Sequence, residues 1–341
     1  MKAVFIEKQG GLEVLKYGDL PKPKPKEGEV LIRVKTAALN HLDLHLRNAK
    51  LNIPLPHVSG SDVAGVVADI NGPSKLKIGQ AVVVNPAIPC GICARCKKGL
   101  SCEMVKIFGY NTPGGFAEYV TAPISQVFPK PKNLSFVEAA AFPLTFLTAW
   151  HMLIGRADLQ IGETVFIWGA SGGLGSAAIQ IAKHLGAKVV AAAKDESDAK
   201  RIKEMGADEI VIYTEGDVVE KVKKLNSGTL VDVVFESVGA KTWAKTLAML
   251  RPHGRVVIAG TTSGEMASQD LSDVYYYQQT ILGSRMGMPK EFEQVLKLVG
   301  EDKLKPIIDK VFPLKNFRRA EQRLEESKQT GKIVIEIGNT P

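Results

Sequence analysis

The stretch VFIWGASGGLGSAAIQIAKHLG, residues 165–186, constrains the fold more than any other part of this chain. A β-rich run ends in a glycine turn, and the turn opens directly into an amphipathic helical pattern. Gly172 and Gly175 permit tight turning and close backbone approach, so amides at the helix N-terminus can hold a pyrophosphate. Ala170, Ser171, Gly172, Gly173, Leu174 and Gly175 are therefore candidate binding residues. A glycine turn alone is a weak signal. The strand before it, the helix after it and a second strand about twenty residues on make it a specific one.

That unit repeats in kind. KVVAAAK then SDAKRIKEMG, ADEIVIY then DVVEKVKKLNSG, and VDVVFESVG then TWAKTLAMLRPHG alternate apolar strands with helices, closing on RVVIAG. Such alternation specifies a parallel sheet covered on both faces. Before it, residues 1–137 read as short strands and turns, among them EVLIRVKTAAL and SDVAGVVADI, which suits a compact barrel-like β domain. In PKNLSFVEAAAF, Asn133 or Ser135 is placed to cap a helix, with Glu138 in its first turns. The expected division is residues 1–137, residues 138–286 and a tail over 287–341 that returns to the first domain.

The net charge of +8 comes from Lys and Arg scattered among Asp and Glu, which fits a solvated surface better than a nucleic-acid footprint. MKAVFIEKQG alternates like a strand and lacks the apolar core of a secretory signal, and Gly, Lys or Pro break every long apolar run. A cytoplasmic protein without a membrane segment is expected. In a reducing compartment, the chain's four cysteines, all within CGICARCKKGLSC, favour a metal over disulfides.

KVVAAAKDESDAK bears on which dinucleotide binds. An acid at this strand end serves the ribose of NAD, whereas a 2′-phosphate needs that acid absent and a cation nearby. Ala193 followed by Lys194, with Lys200 and Arg201 further on, favours NADP(H); Asp195 taking the ribose is the alternative.

With AALNHLDLHLR, PHVSGSDVAGVV, GGFAEYV, AAAFPLTFLTAW and ILGSRMG added in order, the whole chain resembles the medium-chain dehydrogenase/reductase superfamily of zinc alcohol dehydrogenases and quinone reductases. The resemblance implies an α/β protein with a GroES-like β-barrel-type catalytic domain, a doubly wound Rossmann domain and a cleft between them. It also implies a catalytic zinc held by a Cys, a His and a third Cys or acid. At those positions this chain has Asn40, Ser61 and Leu144, and only the acid after the His position, Asp62, is kept. None of the three is a soft or imidazole donor, so no catalytic zinc is expected. Cys90, Cys93, Cys96 and Cys102 match the family's structural-zinc lobe, with five residues before the last cysteine where relatives usually have seven. One structural zinc is expected, with free thiols or a disulfide as the alternative.

Without a Lewis acid, negative charge on the acceptor oxygen must be met by hydrogen-bond donors or delocalised within the substrate. Zinc-free relatives of this kind are often quinone or enone reductases, which implies a small-molecule carbonyl, enone or quinone substrate. By the same resemblance Asn40, supported by Asp43 and His41, is the candidate catalytic group. His41 matches a position that contacts the pyrophosphate, while Thr148, Gly260, Thr261, Ser284 and Arg285 match positions framing the nicotinamide. His45 and His57 fall on no ligand position and read as structural. Relatives are dimers or tetramers, and YYYQQTILGSR is the candidate edge strand for pairing. Two alternatives stay open: a zinc-dependent alcohol dehydrogenase with unusual ligands, and a crystallin-like protein that binds NADPH or nucleic acid without turnover.

Overall fold

The computed structural model describes residues 1–338, and residues 339–341 of the expected C-terminal tail lie outside the described residues. The chain divides into two units: residues 1–144 with 288–341, and residues 145–287.

In the first unit the strand Glu29–Ala38 is the hub of a seven-stranded sheet. It pairs antiparallel with Asp62–Asn71, Tyr119–Pro123 and Lys332–Glu336. Most of it is buried, and Val30, Ile32 and Val34 pack in one core with Val63, Val67, Val82, Phe116 and Ile335. Register matters most at one end of this sheet. Ala38 faces both Asp62 and Val334, so the next residues along, Leu39 and Asn40, run beside Lys332 and Ile333, and the Leu39 amide donates to the Ile333 carbonyl at 3.0 Å. Asn40 then starts the helix His41–Arg47, where Asp43 in the first turn accepts from the Asn40 amide at 2.8 Å. Of the two candidate caps, Ser135 rather than Asn133 starts Phe136–Ala140, with Glu138 completing a capping box.

The second unit is a six-stranded parallel sheet in the order Glu209–Ile212, Lys188–Ala193, Thr164–Ile167, Val231–Glu236, Leu250–Ile258, Thr280–Gly283. All of Thr164–Ile167 is buried, the mark of a central strand covered on both faces. The helix Gly173–His184 follows the glycine turn, and its buried face carries Ala177, Ala178, Ile181 and Ala182. Asp195 and Asp217 accept backbone hydrogen bonds at the starts of the next two helices. In YYYQQTILGSR only Thr280–Gly283 is strand. The tyrosines close a helix, Leu271–Tyr276, because Asp270 accepts from the Ser272 amide and starts a turn that carries them. Among the described residues no helix is long and apolar enough to cross a membrane.

Candidate functional site

Asp62 is fully buried, and its carboxylate gathers the first unit's site. Oδ1 accepts from the Leu144 amide at 2.7 Å, and Oδ2 accepts from Asn40 Nδ2 at 2.9 Å. Ser61 precedes it in the chain, so the three positions that the resemblance matches to metal ligands all adjoin Asp62, Asn40 by its side chain, Leu144 by its backbone amide and Ser61 by sequence. The side chains there are an amide, a hydroxyl and an alkyl group with no ligand atom. Ser61 Oγ is buried without a hydrogen-bond partner among the described residues.

A fourth group fills the charge requirement. Lys332 Nζ is 2.9 Å from Asp62 Oδ2, 2.5 Å from Asn40 Oδ1 and 2.7 Å from the Leu39 carbonyl, so all three ammonium protons are used. The pair is sealed: side-chain exposure is 4% for Lys332 and 0% for Asp62. Sequence reasoning missed Lys332, since a lysine opening an apolar strand carries no motif. The available signal was indirect: an acid kept at Asp62 beside Asn40 and Ser61 needs a cation if the fold buries it. Two anchors also orient the Asn40 amide. Its oxygen takes Lys332, one Nδ2 proton goes to Asp62, and one N–H remains to donate.

Asp43 lies one turn away, its oxygens accepting from the Asn40 and Gly60 amides at 2.8 and 3.1 Å. Burial pushes its carboxyl up to about 7, against the pull of those amides and of Lys332. Burial likewise holds His41 down at about 4, with His45 and Lys332 adding to it, so the ring is neutral near pH 7. His57 Nε2 lies 3.0 Å from the Gly109 carbonyl, a structural contact. Beneath Asp43, buried Arg47 contacts Glu321 at 3.1 Å and donates to the Gly10 carbonyl and to Glu325. Burial raises Glu321 to about 7.

These shifts have opposite signs in stability. Asp43 and Glu321 bind protons more tightly when folded, so their stabilisation is full below about pH 4 and is lost as pH rises through 7; His41 contributes above about pH 6.5 and loses it towards pH 4. Each raised carboxyl makes unfolding free energy fall by about 1.4 kcal/mol per pH unit between its two pKa values. Glu321→Gln removes one such proton. Denaturant unfolding from pH 5 to 7 is expected to show a shallower decline in that variant, and an unchanged slope would refute the assignment.

The four cysteine sulfurs lie within 4.8 Å of one another, and Cys90 Sγ is 3.9 Å from Cys96 Sγ and 3.5 Å from Cys102 Sγ. Tetrahedral zinc with bonds of about 2.3 Å requires sulfurs about 3.8 Å apart, so the cluster fits the ion despite its short last spacing. Gly91, at φ +72°, makes the turn between the first two ligands. Amides of Cys90 and Cys96 donate to the sulfurs of Cys102 and Cys93 at 3.3 and 3.4 Å, which steadies negative charge on them.

In the second unit the glycine turn sits at the carboxyl end of Thr164–Ile167, with Ala170 buried, Ser171, Gly172, Gly173 and Leu174 half-buried and Gly175 buried at the helix start. A Cβ on Gly175 would stand 2.2 Å from the Gly169 carbonyl oxygen and 2.6 Å from Ala170 Cα. At the end of the next strand, Ala193 is buried while Lys194 and Lys200 are exposed. Asp195 is occupied as a cap, accepting from the Asp198 amide at 2.8 Å, and Asp198 in turn pairs with Arg201. Gly260 and Thr261 follow Leu250–Ile258, and Ser284 and Arg285 follow Thr280–Gly283. The hydroxyls of Thr148 and Ser284 are buried without hydrogen-bond partners among the described residues.

Comparison with known proteins agrees with both units. Residues 26–132 match the family described as alcohol dehydrogenase GroES-like domain, and residues 173–301 the one described as zinc-binding dehydrogenase. The chain is 32% identical to a protein named NAD-dependent alcohol dehydrogenase from Sulfolobus acidocaldarius, covering 99% of this chain and 100% of that one. It is 30% identical to the quinone oxidoreductase of Homo sapiens, covering 98% and 97%. A solved structure described as an NAD-dependent alcohol dehydrogenase superposes with a TM-score of 0.96 at 42% identity, covering 99% of this chain and all 100% of its own.

Proposed function

Because the chain belongs to the medium-chain dehydrogenase/reductase superfamily, we propose that it transfers hydride between NADP(H) and a ketone, enone or quinone, with one structural zinc and no catalytic metal. The observation that carries this reading is Lys332. Its ammonium, hydrogen-bonded to Asp62 and Asn40, supplies positive charge beside the residues that replace the metal ligands. A divalent ion would have to displace that ammonium and take an amide, a hydroxyl and a single carboxylate as ligands, a set poor for zinc.

A nicotinamide dinucleotide, when bound, supplies or accepts the hydride. The chain's own residues do the rest. Asn40 offers its remaining N–H to the acceptor oxygen, held in direction by Lys332 and Asp62, so negative charge on that oxygen meets a fixed dipole with a cation behind it. Substrates that delocalise the charge themselves need only that much help, which favours enones and quinones. Neutral His41 contributes a hydrogen-bonding ring without adding charge. The turn 169–175 holds the pyrophosphate, and Cys90, Cys93, Cys96 and Cys102 hold the zinc.

Preference for NADP(H) is supported by buried Ala193, exposed Lys194 and Lys200, and the engagement of Asp195 in its cap, although relatives are named for NAD. Lys194→Ala is expected to weaken NADPH binding about tenfold and leave NADH unchanged, as fits loss of one phosphate contact of about 1.4 kcal/mol. Tighter binding of NADH than NADPH by the unaltered protein would overturn the preference. The activity is tested by NADPH oxidation across ketones, enones and quinones, and silence over that whole panel would refute it.

A cytoplasmic homo-oligomer completes the reading. The edge strand Thr280–Gly283 leaves Ile281 45% exposed, and the preceding helix leaves Tyr275 and Tyr276 73% and 74% exposed, which suits pairing with a second copy. Light scattering should give a dimer or tetramer that Ile281→Lys dissociates.

A further inference from the structure

We propose that Glu236 is a positioning residue for the nicotinamide half of the dinucleotide, an inference that rests on reading the second unit as the cofactor site. Glu236 ends the strand Val231–Glu236 and is completely buried, yet no cation pairs with it among the described residues. Four donors satisfy it instead. Oε1 accepts from the Val238 and Gly239 amides at 2.6 and 3.0 Å, and Oε2 accepts from the hydroxyls of Thr242 and Thr246 at 2.9 and 2.6 Å. A buried carboxylate with four donors is held by a charge-assisted network that fixes each donor's place.

The network reaches the glycine turn. Trp168 Nε1 donates to Thr246 Oγ1 at 2.8 Å, so that hydroxyl is obliged to give its own proton to Glu236. Trp168 immediately precedes Gly169 and donates its backbone amide to the Phe235 carbonyl at 3.1 Å. The turn and the segment after Glu236 also touch directly: a Cβ on Gly169 would meet Ser237 Oγ at 3.0 Å. On the far side, the Val238 carbonyl accepts from both the amide and the hydroxyl of Ser263 at 2.8 Å, and the Ala240 amide donates to the Gly264 carbonyl at 3.1 Å. One carboxylate thus sets the loop that lies between the glycine turn and the 260–264 segment.

Topology says which part of the cofactor that loop serves. From Thr164–Ile167 the chain winds outward through two strands on one side, then returns to Val231–Glu236 on the other. The crevice at that switch point receives a dinucleotide, with pyrophosphate at the glycine turn and the adenosine ribose at the end of Lys188–Ala193. The other nucleotide must then lie over residues 237–242. Turning the carboxylate into an amide puts an N–H against a donor, which shifts that loop while leaving the adenosine side alone.

The test titrates NADPH, NADH and adenosine 2′,5′-bisphosphate into the wild type, Glu236→Gln and Thr246→Val, and records melting temperature alongside. Expected are a fall in dinucleotide affinity of about tenfold or more for Glu236→Gln, a smaller fall for Thr246→Val, and bisphosphate affinity within about twofold of wild type. Should Glu236→Gln not fold, Thr246→Val decides alone. Dinucleotide affinity unchanged in the variants, or dinucleotide and bisphosphate affinities falling together, overturns the positioning role. A wild type that binds no dinucleotide overturns the cofactor reading itself and this inference with it.

Discussion

Replacing Lys332 by methionine is expected to cost about 3–5 kcal/mol of folding stability, because it leaves the Asp62 carboxylate buried and without its cation. Methionine keeps most of the volume, so the loss reads the charge rather than a cavity. The same change frees Asn40 Oδ1, and the amide loses the partner that fixes which edge it presents. Turnover is therefore expected to fall further than stability does, measured at a temperature where the variant stays folded. Adding Asp62→Asn should restore part of the stability, since the buried charge is gone, and little of the activity. A Lys332→Met protein as stable and as active as the wild type would remove the central residue of the proposed site.

The second large effect is expected at Gly175. A Cβ there would meet three backbone atoms of Gly169 and Ala170 at 2.2 to 2.8 Å, and none of these can swing aside as a side-chain tip could. The helix would have to move off the turn, and the amides proposed to hold the pyrophosphate would move with it. Gly175→Val is expected to lower dinucleotide affinity about a hundredfold and stability by about 1–3 kcal/mol. Retained affinity, followed by fluorescence titration, would mean that the turn does not carry the cofactor.

The second unit could be read from the chain because its grammar is local. Thr164–Ile167, the turn and Gly173–His184 are contiguous, and Lys188–Ala193, Glu209–Ile212 and Val231–Glu236 are apolar runs bounded by a glycine or a capping acid, whereas Leu250–Ile258 begins within LRPHG, which the pattern assigns to the preceding helix. Cys90 to Cys102 was legible for the same reason. The tyrosines of YYYQQ misled because aromatic residues favour strands, whereas a capping aspartate five residues earlier turned them into a helix. In the first unit the site is non-local. Lys332 reaches Asn40 and Asp62 across 292 and 270 residues, through a strand register that sequence spacing does not express. Glu236 was hidden differently: its role depends on Thr242, Thr246 and Trp168, ordinary residues until the fold brings their donors onto one carboxylate. What the sequence did express was an expected deficit, with Asn40, Ser61 and Leu144 where the resemblance places metal ligands, and the structure sets the Lys332 ammonium beside Asn40 and Asp62.

The claim of hydride transfer without a catalytic metal is tested most directly by counting zinc per chain and following NADPH oxidation with and without a strong chelator. The account predicts one zinc per chain, held by the cysteine cluster, and turnover of enones or quinones that chelation leaves unchanged while the protein stays folded. Two zincs per chain, with activity lost when the second is removed and regained when it is returned, would contradict it.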